Sequence, residues 1–203
     1  APSFAKLLTR YGSTQVRNAA TLGGNIANGS PIGDSAPALI AMNTELVIRS
    51  AKGQRKIKLE KFFLDYKKQD LNKGEFLEFL IIPKINLTVK CYKISKRFDQ
   101  DISSVCGCFN IILDDGLIKK CIIAFGGMAG VPKRAKHVES CLLNHRWEEG
   151  VLRSCSDTWQ KDFTPLSDLR SSSDYRQTTA HNLLLRYYFE TLGANTNVQQ
   201  VAP

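Results

Sequence analysis

Between Thr21 and Pro37 the chain reads TLGGNIANGSPIGDSAP, with four glycines, two asparagines and two prolines in seventeen residues. These residue types suit the binding of a polar, anionic group. Gly23 and Gly24 lack a Cβ atom, so another molecule can approach their backbone closely. Asn25 and Asn28 each carry an amide that both donates and accepts, and asparagine tolerates left-handed backbone. Pro31 and Pro37 stiffen the path. Asp34 precedes a helix-like run, and the free N–H groups of such a run favour anions. Successive backbone N–H groups in such a loop can form an anion-binding concavity, sized for a pyrophosphate. The same stretch also reads as an Ω-loop packed on itself. Two common phosphate loops are excluded: the glycines at 23, 24, 29 and 33 do not make G-x-G-x-x-G, and no G-K-S/T follows.

Other candidate chemistry is sparse. His137, His145 and His181 have no carboxylate or nucleophile at a motif spacing, and Ser30 and Cys106 show no triad context. The six cysteines are Cys91, Cys106, Cys108, Cys121, Cys141 and Cys155. None shows the C-x2-C spacing of zinc or iron–sulfur sites, so no metal site is expected. Cys106-Gly-Cys108 lies in a strand-like run, where both side chains share one face and read as small buried apolar groups. No disulfide framework is legible, which fits a reducing cytoplasm.

The elements that must position the glycine-rich stretch follow from pattern. "SFAKLLTRYG" reads as a helix ended by Gly12. "SAPALIAM" reads as a second helix, with Asp34 or Ser35 at its N-cap. "ELVIRS" and "QRKIKLEKF" read as strands joined at Ala51–Gly53, and "EFLEFLIIP" as a strand closed by Pro83. "VKCYKISKR" alternates as a strand does. "SSVCGCFNIIL" and "LIKKCIIAFGGM" flank Asp114-Asp115-Gly116, a hairpin signal. From Pro132 the pattern turns helical, the proline suiting a first turn. The last helix carries the apolar stripe Ala180, Leu183, Leu184, Tyr187 and Tyr188, and Gly193 ends it. Residues 194–203 read as a flexible polar tail. Strands followed by helices make this an α+β chain. The division is residues 1–86 and 87–193.

The chain has 203 residues, 43% of them hydrophobic, and no apolar run near the about 18 residues of a membrane span. Its net charge of +9 attracts anions in general, but the basic residues are dispersed among acids, with no block of like charge. Neither a membrane nor a nucleic acid is expected as a partner.

Residues 15–42, QVRNAATLGGNIANGSPIGDSAPALIAM, resemble the second flavin-binding signature of the molybdenum hydroxylase family, which includes xanthine dehydrogenase, aldehyde oxidase and the medium subunit of carbon monoxide dehydrogenase. The NIANGSPIGD version resembles that of the bacterial xanthine dehydrogenase small subunit. FLEFLIIPK, CYKISKRFDQDISSV, FGGMAGVPKRA and DLRSSSDYRQTTAHNLLLRYYFE resemble later segments of the family, in order. The resemblance spans about residues 3–192. It implies the C-terminal half of a PCMH-type FAD-binding domain (1–86) followed by a sheet-plus-helices domain like the C-terminal domain of the CO dehydrogenase flavoprotein (87–193).

FAD in that family lies between two halves of a flavin domain. The glycine loop of the first half and the cysteines of the 2Fe–2S domains are not found here. The resemblance therefore implies the C-terminal portion of a larger subunit, not active alone, which a start at Ala1 fits. On matched positions it implies that Thr21, Gly24 and Asn25 contact the phosphate and ribityl region. Asn28 would bond the flavin or ribityl chain. Asp34 would accept from ribityl hydroxyls, besides its helix-cap role. Tyr11 would lie against the cofactor, Leu77 would offer backbone near its rings, and Lys93 would face the pyrimidine edge. The loop Ser95–Ser104 would sit near NAD+, with Arg97, Asp99 and Asp101 steering it. The implied activity is that of a cytoplasmic xanthine dehydrogenase-like oxidoreductase. Purine is oxidised at a molybdenum–pterin centre on a large partner subunit, and electrons pass through 2Fe–2S clusters to FAD and on to NAD+ or oxygen. An aldehyde oxidase or CO dehydrogenase relative, or a non-enzymatic basic module that has lost FAD, are the other readings.

Overall fold

The computed structural model describes residues 1–84 and 89–196. Four short helices come first: α1 (Pro2–Thr9), α2 (Thr14–Ala19), α3 (Leu22–Ala27) and α4 (Ser35–Ala41). Five strands follow: β1 (Glu45–Ser50), β2 (Gly53–Lys58), β3 (Phe63–Asp65), β4 (Lys68–Gln69) and β5 (Phe76–Ile81). They form an antiparallel three-stranded sheet, β2-β1-β5, and a small β3–β4 ribbon.

A second sheet, four-stranded and antiparallel, has the order β6-β7-β8-β9, with β6 at Lys90–Ile94, β7 at Val105–Asp114, β8 at Leu117–Gly126 and β9 at Lys133–Arg134. The β7–β8 hairpin closes through Asp115 and Gly116, both at positive φ (48° and 71°), as a tight primed turn requires. Helices α5 (Lys136–Leu142), α6 (Glu149–Ser154), α7 (Trp159–Asp162) and α8 (Ser173–Thr191) complete the chain. The last residues of the tail expected at 194–203, 197–203, lie outside the described residues.

This second sheet is covered on both faces, and the two-residue period of its strands divides the labour. Phe109, Ile111, Ile123 and Phe125 meet Trp159, Leu183, Leu184 and Tyr187 in one core. Cys106, Cys108, Ile122 and Ala124 face the other way, against Ala38, Leu39 and Ala41 of α4. Every residue of α4 is buried, since Ser35–Ala41 is small or apolar throughout. Leu39 alone, fully enclosed, contributes about 1.5–3 kcal/mol. Helix α4 thus ties the glycine-rich region onto the sheet whose edge strand carries Lys93. Asn110, on the α4 side, donates its amide to the Ala41 carbonyl at 2.9 Å and closes the helix end.

Several expectations need correction. The glycine-rich stretch is not structureless: Leu22–Ala27 is helical, and α2 precedes it. Pro132 does not open a helix, because Lys133 and Arg134 are drawn into β9 opposite Phe125 and Ala124. The run 146–163 is broken into α6, a 3-10 turn and α7. Cys141 and Cys155, fourteen residues apart, are joined by a disulfide that links α5 to the end of α6. The expectation of free cysteines holds only for the other four.

Candidate functional site

The site is built around the N-terminal turn of α3. Thr21 is its N-cap, and its Oγ1 accepts from the Gly24 N–H at 2.9 Å. A Cβ added at Gly24 would come within 2.9 Å of that oxygen, so any side chain there would press on the cap. Ile26 is fully buried and anchors the helix, leaving Thr21 and Gly24 exposed on the outer side.

Beside this turn lies a cavity of about 250 Å³ lined by Leu8, Tyr11, Arg17, Thr21, Asn25 and Ser35, among others. Three polar side chains are linked along its wall. Asn25 donates Nδ2–H to the Tyr11 hydroxyl at 3.1 Å, and Ser35 donates to Asn25 Oδ1. Arg17 is held by the carbonyls of Tyr11 and Gly12, at 3.1 and 2.8 Å, which fixes its cation in the wall.

Behind Ser35 sits a buried ion pair. Lys93 Nζ donates to Asp34 Oδ2 at 2.6 Å, and both side chains are almost fully enclosed (3% and 5% exposed). Ser103 donates to the other carboxylate oxygen. Lys93 also donates to the Arg10 carbonyl at 3.2 Å. Asp34 occupies the N-cap position of α4 but makes no capping bond, because its carboxylate is turned to Lys93 and Ser103 instead. Two of the three donors of the Lys93 ammonium are thus engaged among the described residues. Lys93 borders a second cavity of about 650 Å³, between α1, the edge of β6 and the C-terminal end of α8.

The structure therefore brings together Tyr11, Thr21, Gly24 and Asn25, with the Asp34–Lys93 pair adjoining. Leu77, on β5, lies 3.9 Å from where a Gly23 Cβ would sit and packs with the core under α3. Asn28 stands apart, exposed at the C-cap of α3. In the loop 95–104, Arg97 and Asp101 pair with each other at 3.4 Å, and the Arg97 N–H bond holds the Asp101 carboxyl below its usual range. Asp99 accepts from the Gln100 N–H.

Sequence reasoning missed four residues. Arg10 grips the loop through the carbonyls of Lys93 and Phe98 and the Ser95 hydroxyl, with its guanidinium 5.0 Å from the Phe98 ring centre. Arg17 and Ser35 complete the polar wall, and Ser103 holds the Asp34 carboxylate behind it. Arg17 and Ser35 lie inside the matched signature and were within reach. Arg10 and Ser103 carry no local signal.

The fold is α+β, a first sheet with its helices followed by a second sheet covered by helices. Residues 1–85 match the model of the FAD binding domain in molybdopterin dehydrogenase, and residues 90–191 that of the CO dehydrogenase flavoprotein C-terminal domain. The chain belongs to this flavoprotein family of the molybdenum hydroxylases. It is 31% identical to nicotinate hydroxylase hnxS of Emericella nidulans over 92% of its length, and 32% identical to xanthine dehydrogenase of Blastobotrys adeninivorans over 91%. In each case it spans 14% of the relative's length. The fold is similar to the carbon monoxide dehydrogenase of Hydrogenophaga pseudoflava, with a TM-score of 0.82 and 25% identity, covering 91% of this chain and 65% of that one. Among the described residues no helix is long and apolar enough to cross a membrane, and no group of three or more metal-ligating side chains occurs.

Proposed function

We propose that the chain is the C-terminal portion of the FAD-binding part of a xanthine dehydrogenase-like molybdenum hydroxylase, relaying electrons from iron–sulfur clusters to NAD+ or oxygen. A molybdenum-binding subunit and the first half of the flavin domain are its proposed partners. The observation that carries this reading is the convergence of Tyr11, Thr21, Asn25 and Ser35 on one cavity beside the Lys93–Asp34 pair.

The residues fit part of a flavin dinucleotide. At about 250 Å³ the cavity is smaller than the about 300–1,000 Å³ of pockets that enclose a whole ligand, so it suits one portion, with the rest held by another surface. FAD, when bound, supplies the electron carrier. Thr21, Gly24 and Asn25 present hydroxyl, bare backbone and amide to the phosphate and ribityl region. Tyr11 offers a ring face. Lys93 would offer its positive charge to an electron-rich edge of the flavin, with Asp34, itself held by Ser103, keeping that ammonium in place. Asn28, exposed and beyond the cavity, is proposed as a contact only to a ligand extending past α3. Leu77 supports Gly23 from below.

Titration of FAD into the intact polypeptide, followed by quenching of flavin fluorescence, tests this. Asn25→Ala removes the amide from the cavity wall and is expected to weaken FAD about tenfold, or about 1.4 kcal/mol. The 203-residue chain alone is expected to hold FAD weakly, since on this proposal another part of the flavin domain supplies the facing side of the cleft. Unchanged affinity in the variant, or a colourless intact protein that binds nucleic acid with a steep salt dependence, would contradict the reading and favour a basic interaction module.

A further inference from the structure

Three thiols share the α4 face of the second sheet. Cys91 on β6 stands opposite Cys108 on β7, and Cys106 is two residues earlier on β7, opposite Lys93. Opposed residues on antiparallel strands alternate between hydrogen-bonded pairs and narrow, non-hydrogen-bonded pairs with Cα atoms about 4.5 Å apart. The Cys91 N–H points off the ladder, donating to Ser3 Oγ at 2.8 Å, and the Lys93 carbonyl likewise accepts from Arg10 at 3.0 Å. Cys91 and Cys108 therefore form a narrow pair, whose spacing falls inside the about 4.4–6.8 Å that a disulfide spans. Cys106 and Cys108, two apart on one strand, point to the same face of the sheet, the face that Cys91 shares across the ladder. Cys106 and Cys108 are fully buried, whereas Cys91 is half-buried and borders the 650 Å³ cavity. Among the described residues, Cys91 is the thiol of this cluster that is open to a small oxidant.

We propose that Cys91 and Cys108 are a peroxide-reactive dithiol that closes to a cross-strand disulfide, with Cys91 as the entry thiol and Cys108 as the resolving thiol. The Cys91 sulfur attacks hydrogen peroxide. The O–O bond breaks, an S–O bond forms, and the products are a sulfenic acid and one water. The Cys108 sulfur then attacks the Cys91 sulfur. The S–S bond forms as the S–O bond breaks, and hydroxide leaves with the Cys108 proton as a second water. Two thiols lose two electrons and two protons, and one peroxide becomes two waters.

Peptide mapping of the peroxide-treated full protein, digested with trypsin without reduction, tests the proposal. The expected product joins peptide Cys91–Lys93 to peptide 98–119, with fragmentation placing the bond at Cys108 and dithiothreitol releasing it. Cys91→Ser should abolish the link and Cys106→Ala should retain it, while the Cys141–Cys155 link serves as an internal reference. A bond to Cys106, or accumulation of Cys91 as sulfinic acid in the wild-type protein with no link to Cys108, would overturn it.

Discussion

Replacing Lys93 by methionine removes one partner of a buried ion pair and leaves the Asp34 carboxylate with Ser103 as its one side-chain donor. At 2.6 Å and an effective dielectric constant of about 20, the gross attraction is about 6 kcal/mol, which the desolvation of both ions largely offsets. The single variant exposes that imbalance. Breaking a buried pair from one side costs about 3–5 kcal/mol, because a charge stays enclosed without compensation. Urea unfolding, followed by far-ultraviolet circular dichroism, measures this. With a slope of about 2 kcal/mol per molar, Lys93→Met is expected to lower the midpoint by about 1.5–2.5 M. In the double variant Asp34→Asn/Lys93→Met both charges are gone, and the introduced amide can still accept from Ser103. It should recover about 2–3 kcal/mol relative to the sum of the singles. A midpoint shift under about 0.5 M for Lys93→Met, or strict additivity in the double variant, would refute the view that the two charges neutralise each other in a dry interior.

Three further outcomes follow from other parts of the fold. Arg55 hydrogen-bonds Glu75 and holds its pKa down at about 2, so this contact stabilises the fold above the unfolded carboxylate range and is lost as pH falls from about 4.5 toward 2; Glu75→Gln should flatten that part of an acid-unfolding curve. Gly107→Ala would place a methyl 2.6 Å from the Phe125 ring in the second sheet's core, and thermal unfolding should show a loss of about 1–3 kcal/mol. Opening the Cys141–Cys155 disulfide, which closes a segment fourteen residues long, should cost about 3 kcal/mol in a denaturation series with and without reductant, and Cys141→Ser should reproduce the loss.

The legible parts of this chain are those whose cause is local. Asp115-Gly116 states the β7–β8 turn by itself, and the two-residue spacing of Cys106 and Cys108 states one buried face of β7; that the other face is covered too shows only in the packing. Helix α3 was hidden because each of its two glycines costs about 1 kcal/mol in a helix interior; the Thr21 cap and the burial of Ile26 outweigh them. Strand β9 exists only by pairing with β8, so Pro132 misled toward a helix. At the site, the signature marked Thr21, Gly24, Asn25 and Asp34. It could not say that Asp34 would turn away from its helix end toward Lys93, fifty-nine residues on. Nor could any spacing rule join Arg10 to the Phe98 loop or Cys141 to Cys155.

A structure of the intact polypeptide with FAD bound measures directly whether the turn from Thr21 to Asn25 holds the dinucleotide. Phosphate oxygens within about 3 Å of the hydroxyl, amide or backbone N–H groups of that turn, with the flavin ring edge beside Lys93 Nζ, are the predicted result. A cofactor seated elsewhere, with Thr21–Asn25 packed only against its own neighbours and the Lys93 ammonium closed off by Asp34 and Arg10, would contradict it.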